Sequence, residues 1–241
     1  MRTIFAVLFV FLFLVIGLPL LGLMWIIHFF KPEWADLAQL RIVQWAFRCI
    51  YTISGAKIEI IGKENIPTGE AVLYIGNHRS IFDIVITYAL CPGLTGYISK
   101  NSVKKVPILG IWMKRLHCLF LDRDDIKEGL KVILAAIDKV KSGISIAVFP
   151  EGTRNKDQDP ASVLPFKEGT FKIASKTGCK IIPMAITGTN ELLENHMPWI
   201  KKSRVIIKYG TPINPKELSK EDQKKLGAYC HNIIQDMLKE Q

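Results

Sequence analysis

The chain has 241 residues, 49% of them hydrophobic, with 32 Lys and Arg against 22 Asp and Glu, a formal net charge of +10. That length holds one catalytic-size domain and a short appendage but not two full domains, since single domains cluster near ~100–200 residues. A basic surface attracts nucleic acid and anionic lipid alike, but the positive mean hydropathy that accompanies it argues against a nucleic-acid binder and for a protein at a membrane surface.

No charged residue occurs between positions 4 and 27. As a straight helix at ~1.5 Å per residue that run reaches roughly 36 Å, enough for a ~30 Å hydrocarbon core. It exceeds the ~7–15 apolar residues of a secretory signal, and no small-x-small cleavage site follows it. The alternatives to a membrane segment are a cleaved signal peptide, which these two features disfavour, and a buried core helix. Gly17, Pro19 and Gly22 interrupt its middle, so a kinked or re-entrant segment fits as well as a straight span. After a turn at Lys31-Pro32-Glu33, the stretch 34–54 places Arg41, Gln44 and Arg48 on one helical face among apolar and aromatic residues. That pattern describes a cationic amphipathic helix at a lipid interface, or else an ordinary core-packing helix. Residues 1–55 are therefore expected to form a membrane-embedded helical hairpin, ahead of a catalytic domain over 56–241.

From Gly55 onward short β-branched runs alternate with amphipathic ones. Strands are expected at 57–62, 71–76, 95–100, 118–122, 144–150, 180–187 and 204–210, and helices near 80–90, 125–141, 168–177 and 219–239. The alternation predicts an α/β fold, a mixed sheet of about seven strands flanked by helices. Cys49, Cys91, Cys118, Cys179 and Cys230 are odd in number and widely spaced, with no CxxC pair, and read as reduced thiols outside any metal site.

In such sheets, ligands bind where loops leave the carboxyl ends of strands, and the polar clusters fall there. Asn77-His78-Arg79 follows the second strand, Asp122-Arg123-Asp124 the fourth, and Glu151-Gly152-Thr153-Arg154 the fifth. His78 and Asp83 are five apart, which on a regular helix would separate them by roughly 140°. If His78 instead lies in the loop before the helix, with Ser80 near its cap, Asp83 in the first turn can fold back onto an imidazole nitrogen. The carboxylate would fix the tautomer and leave the other nitrogen to take a proton.

A base with no enzyme nucleophile beside it points to direct activation of a substrate hydroxyl or of water. The nearest approach to a nucleophile elbow, Gly143-Ile144-Ser145-Ile146-Ala147, lacks the final glycine and continues into a strand, so Ser145 reads as structural. Neither a phosphate-cradling P-loop nor a dinucleotide fingerprint is present.

Asn77-His78-Arg79-Ser80-Ile81-Phe82-Asp83 resembles the NHxSxxD block of the glycerolipid acyltransferases, and Phe149-Pro150-Glu151-Gly152-Thr153-Arg154 resembles their FPEGTR block. Leu119-Phe120-Leu121-Asp122-Arg123 and Ile181-Ile182-Pro183-Met184 resemble two further blocks, in the family's order. The similarity runs from about 57 to 210 and is greatest to the subgroup that acylates 1-acylglycerol 3-phosphate. It implies transfer of a fatty acyl group from acyl-CoA or acyl carrier protein to lysophosphatidic acid, giving phosphatidic acid, with no metal, cofactor or prosthetic group.

The resemblance makes His78 the general base and Asp83 its orienting partner, puts Arg123 and Arg154 on the acceptor phosphate, and puts Glu151 near its glycerol part. An arginine fork suits phosphate oxygens. Glu151 could instead only hold Arg154 by an ion pair. Gly152 would let backbone approach the ligand, and Thr153 offers a hydroxyl. Lys100, in a run with Lys104 and Lys105, is a candidate for the substrate phosphate, the CoA phosphates or lipid headgroups, or else lies on a solvated surface; Phe166-Lys167-Glu168-Gly169 resembles a further family segment, in which Lys167 helps the phosphate site or else caps a helix. The expected partners are lysophosphatidic acid, the acyl carrier and a phospholipid membrane, without nucleic acid. The expected location is the cytoplasmic membrane with the site facing the cytoplasm. The alternatives are an acyltransferase for another lysophospholipid or for glycerol 3-phosphate, a lipid ester hydrolase, and a non-catalytic lipid-binding protein.

Overall fold

The computed structural model describes residues 1–122 and 125–241. Arg123, expected on the acceptor phosphate, lies outside the described residues.

Two long helices, α1 (Arg2–Phe30) and α2 (Pro32–Ser54), lead into an alternating domain. There follow β1 (Ala56–Ile61), β2 (Leu73–Gly76), α3 (Ile81–Leu90), β3 (Thr95–Lys100), α4 (Asn101–Lys104), α5 (Leu109–Arg115), β4 (Leu119–Leu121) and α6 (Ile126–Lys141). The chain ends with β5 (Ser145–Val148), α7 (Lys172–Thr177), β6 (Ile181–Thr187), β7 (Ser203–Tyr209), α8 (Lys220–Lys224) and α9 (Leu226–Lys239). The strands form one mixed sheet in the order β1-β7-β6-β2-β5-β3-β4. Among the described strand pairs, β6–β7 is antiparallel and the others are parallel.

β2 lies at the centre and is buried throughout, as a strand covered on both faces must be. Its residues alternate between two cores. Val72 and Tyr74 face one with α2, α3 and Trp112 of α5, while Leu73 and Ile75 face the other with α6, α7 and α9. Parallel pairing of β2 with β5 sets Ile75 beside Val148, which brings the loops after these two strands together.

α1 is continuous through Pro19, where the sequence had allowed a kink or re-entrant break. A narrow stripe including Ala6, Gly17, Leu21 and Met24 packs inward. A Cβ on Gly17 would stand 3.0 Å from Trp112 Cζ2, so the glycine lets the indole lie against the helix. The rest of the circumference is exposed and apolar, Phe5, Leu8, Phe11, Ile16 and Trp25 among it. α1 is long and apolar enough to cross a membrane, and having no polar face it suits immersion in hydrocarbon better than lying at an interface. These features associate the chain with a membrane.

On α2 the three polar positions divide, Arg41 and Arg48 being exposed and Gln44 not. Gln44 is buried, and its Nε2 donates to the Tyr88 and Cys91 carbonyls at the end of α3, at 3.2 and 2.7 Å. Arg41 donates to Gln44 Oε1 and to the Pro92 carbonyl. The polar positions thus satisfy carbonyls left open at a helix end, while Trp34, Leu37 and Trp45 are exposed. The segment 101–115 holds α4 and α5, two short helices that the sequence pattern had not suggested.

Candidate active site

His78 lies in the loop between β2 and α3. Asn77 fixes the start of that loop by extending the sheet ladder with its side chain: Nδ2 donates to the Ile186 carbonyl and Oδ1 accepts from the Ile186 N–H, at 2.9 and 2.8 Å. Ser80 caps α3, its Oγ accepting from the Phe82 N–H, and Asp83 reciprocates by accepting from the Ser80 N–H at 2.8 Å. This capping box is what turns Asp83 back. Its Oδ2 also accepts from the Arg79 N–H at 2.7 Å and lies 2.8 Å from His78 Nδ1. Oδ1 accepts from Thr189 Oγ at 2.5 Å. With Nδ1 donating to a carboxylate, His78 Nε2 is the free acceptor nitrogen. The ring stacks on Phe149, with centroids 4.5 Å apart and planes 15° apart.

Glu151, in the loop after β5, is turned inward. Its Oε1 accepts from the His78 N–H at 2.6 Å and its Oε2 from the Leu164 N–H at 3.0 Å. Burial pushes the carboxyl up to about 7, opposed by those two hydrogen bonds. Glu151 makes no ion pair with Arg154 among the described residues; Arg154 pairs instead with Glu194 at 2.9 Å. Glu194 Oε1 also accepts from the Ile81 N–H at the start of α3, while its Oε2 is buried without a partner among the described residues.

Thr153 and Arg154 are exposed beside this loop. Gly152 has φ 73°, and a Cβ there would come within 2.9 Å of Lys167 Cε, so the lysine lies across the glycine. The Lys167 N–H donates to the Pro150 carbonyl. Lys100 ends β3, two strands from β2 in the sheet, roughly 10 Å away at ~4.8 Å per strand. Buried Arg79 pins the far side of the loop through the Asp157 and Asp159 carbonyls.

Ser145 Oγ accepts from the Val72 N–H within the sheet, far from an exposed elbow. All five cysteines are free, and burial pushes Cys91 and Cys118 up to about 11 and Cys230 up to about 12, away from thiolate reactivity. Thr189 and Glu194 belong to the site and were not singled out from the sequence. They reach it from the connection after β6, which only the sheet order places beside α3.

A family model described as Acyltransferase matches residues 57–187, more than half of the chain, and the chain belongs to that family. The 1-acyl-sn-glycerol-3-phosphate acyltransferase of Borreliella burgdorferi is 31% identical over 189 residues, 77% of this chain and 72% of that protein. The enzyme of the same name from Saccharomyces cerevisiae is 28% identical over 203 residues, 82% of this chain but 65% of the yeast protein's length. Among solved structures, the 1-acyl-sn-glycerophosphate (LPA) acyltransferase PlsC from Thermotoga maritima shares the fold. Its TM-score is 0.81 at 24% identity, covering 99% of this chain and 95% of that one.

Proposed function

We propose that this chain transfers a fatty acyl group from the thioester of acyl-CoA or acyl carrier protein to the sn-2 hydroxyl of lysophosphatidic acid, forming phosphatidic acid. The observation that carries the reading is the His78–Asp83 pair at 2.8 Å, with Nε2 free and no enzyme nucleophile beside it among the described residues. His78 Nε2 takes the proton of the acceptor hydroxyl as its oxygen attacks the thioester carbonyl. Asp83 stabilises the imidazolium. Collapse of the tetrahedral adduct breaks the carbon–sulfur bond, and the thiolate leaves with the proton from Nε2, which returns the base to its starting state.

Arg154, Lys167 and Arg123 are assigned to the acceptor phosphate, with Gly152 and Thr153 at its approach and Lys100 further out for the phosphates of the donor. Glu151 is assigned to the acceptor side through the His78 backbone that it holds. The step needs no metal or prosthetic group. A water-soluble donor and a bilayer acceptor meet at the membrane surface, so catalysis is assigned to the cytoplasmic face of the membrane that α1 enters.

The test is transfer from labelled acyl-CoA, then from acyl carrier protein, by detergent-solubilised protein. Lysophosphatidic acid, other lysophospholipids, glycerol 3-phosphate or no acceptor is supplied, and wild type is compared with His78→Ala. Phosphatidic acid formed by the wild type and lost in the variant supports both reaction and base. Preference for another acceptor would reassign the substrate. Free fatty acid released without acceptor would make the protein a hydrolase, and no turnover with either donor would end the acyltransferase reading.

A further inference from the structure

The connection between β6 and β7, residues 188–202, runs from the His78 site to the start of α1. Thr189 holds Asp83, Glu194 holds Arg154 and the α3 amino terminus, and further along the Ile200 N–H donates to Thr3 Oγ at 2.8 Å. At that last point cations gather. A Cβ on Gly55 would meet Arg2 Nε at 3.1 Å and Lys202 Cβ at 3.2 Å, so the two side chains converge over this glycine, with Lys201 adjoining in sequence. None of Arg2, Lys201 and Lys202 has an acidic partner within 4.0 Å among the described residues. Met197 and Trp199, in the same connection, are 67% and 58% exposed.

Like charges drawn together without counter-charge favour an anion between them. Large exposed apolar side chains beside them favour an amphiphile, because indole rings settle at headgroup depth and lysines and arginines at lipid phosphates. What settles the partner as a bilayer rather than a protein is continuity. The exposed apolar sheath of α1 begins at Ile4 and Phe5, just past Arg2 and Thr3, so the boundary between hydrocarbon and water falls at this end of the helix.

We propose that the 197–202 segment, with Arg2, is a second membrane contact that docks on an anionic phospholipid surface, Met197 and Trp199 among the headgroups and Arg2, Lys201 and Lys202 on lipid phosphates. It rests on the immersion of α1 and is independent of which acceptor is acylated. Because the same connection holds Asp83 and Arg154, docking seats the mouth of the site at the surface from which an amphiphilic acceptor arrives.

The test uses the full chain in phosphatidylethanolamine vesicles with or without phosphatidylglycerol, prepared with brominated or ordinary acyl chains. Trp199 emission is read as the difference between wild type and Trp199→Phe, and Trp25 emission likewise with Trp25→Phe. Both are expected to be quenched by bromine in phosphatidylglycerol-containing vesicles. The combined Arg2→Gln, Lys201→Gln, Lys202→Gln variant should lose most of the Trp199 quenching and at least about threefold of the turnover stimulated by phosphatidylglycerol, with turnover in detergent micelles unchanged. Trp199 unquenched while Trp25 is quenched overturns the proposal, as does a triple variant that keeps both the quenching and the stimulation. If neither tryptophan is quenched, the immersion of α1 fails and the proposal with it. Loss of acyl transfer under every condition would sink the proposed reaction alone, since quenching needs no turnover.

Discussion

Asp83 is only 1% exposed, and four donors make that burial tolerable: His78 Nδ1 and the Arg79 and Ser80 N–H groups on Oδ2, Thr189 on Oδ1. Asp83→Asn cannot accept all four, so it should lower both turnover and thermal stability, by about 1–3 kcal/mol for each donor left unpaired. His78→Ala removes one donor and leaves the other three in place. It should reduce transfer by ~10²–10⁴ or more while the melting temperature shifts little; a variant with near wild-type turnover would remove His78 as the base. Arg154→Ala should raise the acceptor KM more than the donor KM, and an effect on the donor alone would move Arg154 off the phosphate.

Glu151 makes a pH prediction with a definite sign. Its folded pKa is about 7 against a reference of 4.5, so its contribution to stability is complete below about 4.5 and is lost as pH rises through about 7. The whole shift is worth roughly 3 kcal/mol. Thermal melts of wild type should weaken across that window relative to Glu151→Gln, which does not titrate. Parallel pH profiles for the two proteins would show that burial does not load this carboxyl as described.

At the scale of elements, the α1 helix is keyed to the domain by shape. Trp112 is 2% exposed and lies against Gly17 and Phe13, with no room to give way. Gly17→Val should therefore push α1 outward and cost about 1–3 kcal/mol, read as earlier unfolding in detergent. Turnover at low temperature should survive, because the partners that orient His78 are Asp83, Glu151 and Phe149, none of them on α1. Turnover lost in step with stability would mean that α1 packing supports the site itself.

For the whole molecule, the decisive feature is a helix whose exposed circumference is apolar from Ile4 to Ile27. Apolar burial in lipid does not depend on ionic strength, whereas attraction between basic residues and anionic headgroups is screened within a Debye length of about 10 Å at 0.1 M salt. The reconstituted protein should therefore stay with the membrane fraction in high salt and after alkaline extraction. Release by salt alone would mean that charge, and not α1, holds it there.

Much of this architecture is local and so was legible in the sequence. All seven strands and the helices at 81–90 and 126–141 appear where period-two and period-3.6 patterns placed them, since each depends on residues a few positions apart. The meeting of His78 with Asp83 was legible for the same reason, because a capping box needs only Ser80 and Asp83 three residues apart. Helix-breaking residues left two readings open: Pro19 does not interrupt α1, as prolines are tolerated where neighbouring helices and local adjustment satisfy the backbone. Gln44 fits an interfacial face or a core-packing one by its spacing alone, and packing sets it under the carbonyls of α3; α4 and α5 are too short to show a period.

The rest followed from strand order, which no local pattern encodes. The adjacency of β2 and β5 turned Glu151 onto the His78 backbone, and the placement of β6 beside β2 brought Thr189 to Asp83 and Glu194 to Arg154. Sequence by itself determined the elements and the meeting of His78 with Asp83, because these are short-range. Only the tertiary structure decided what surrounds that pair, because residues 70 to 110 positions apart, joined as His78 is to Glu151 and Asp83 to Thr189, meet through the sheet and through nothing nearer in the chain.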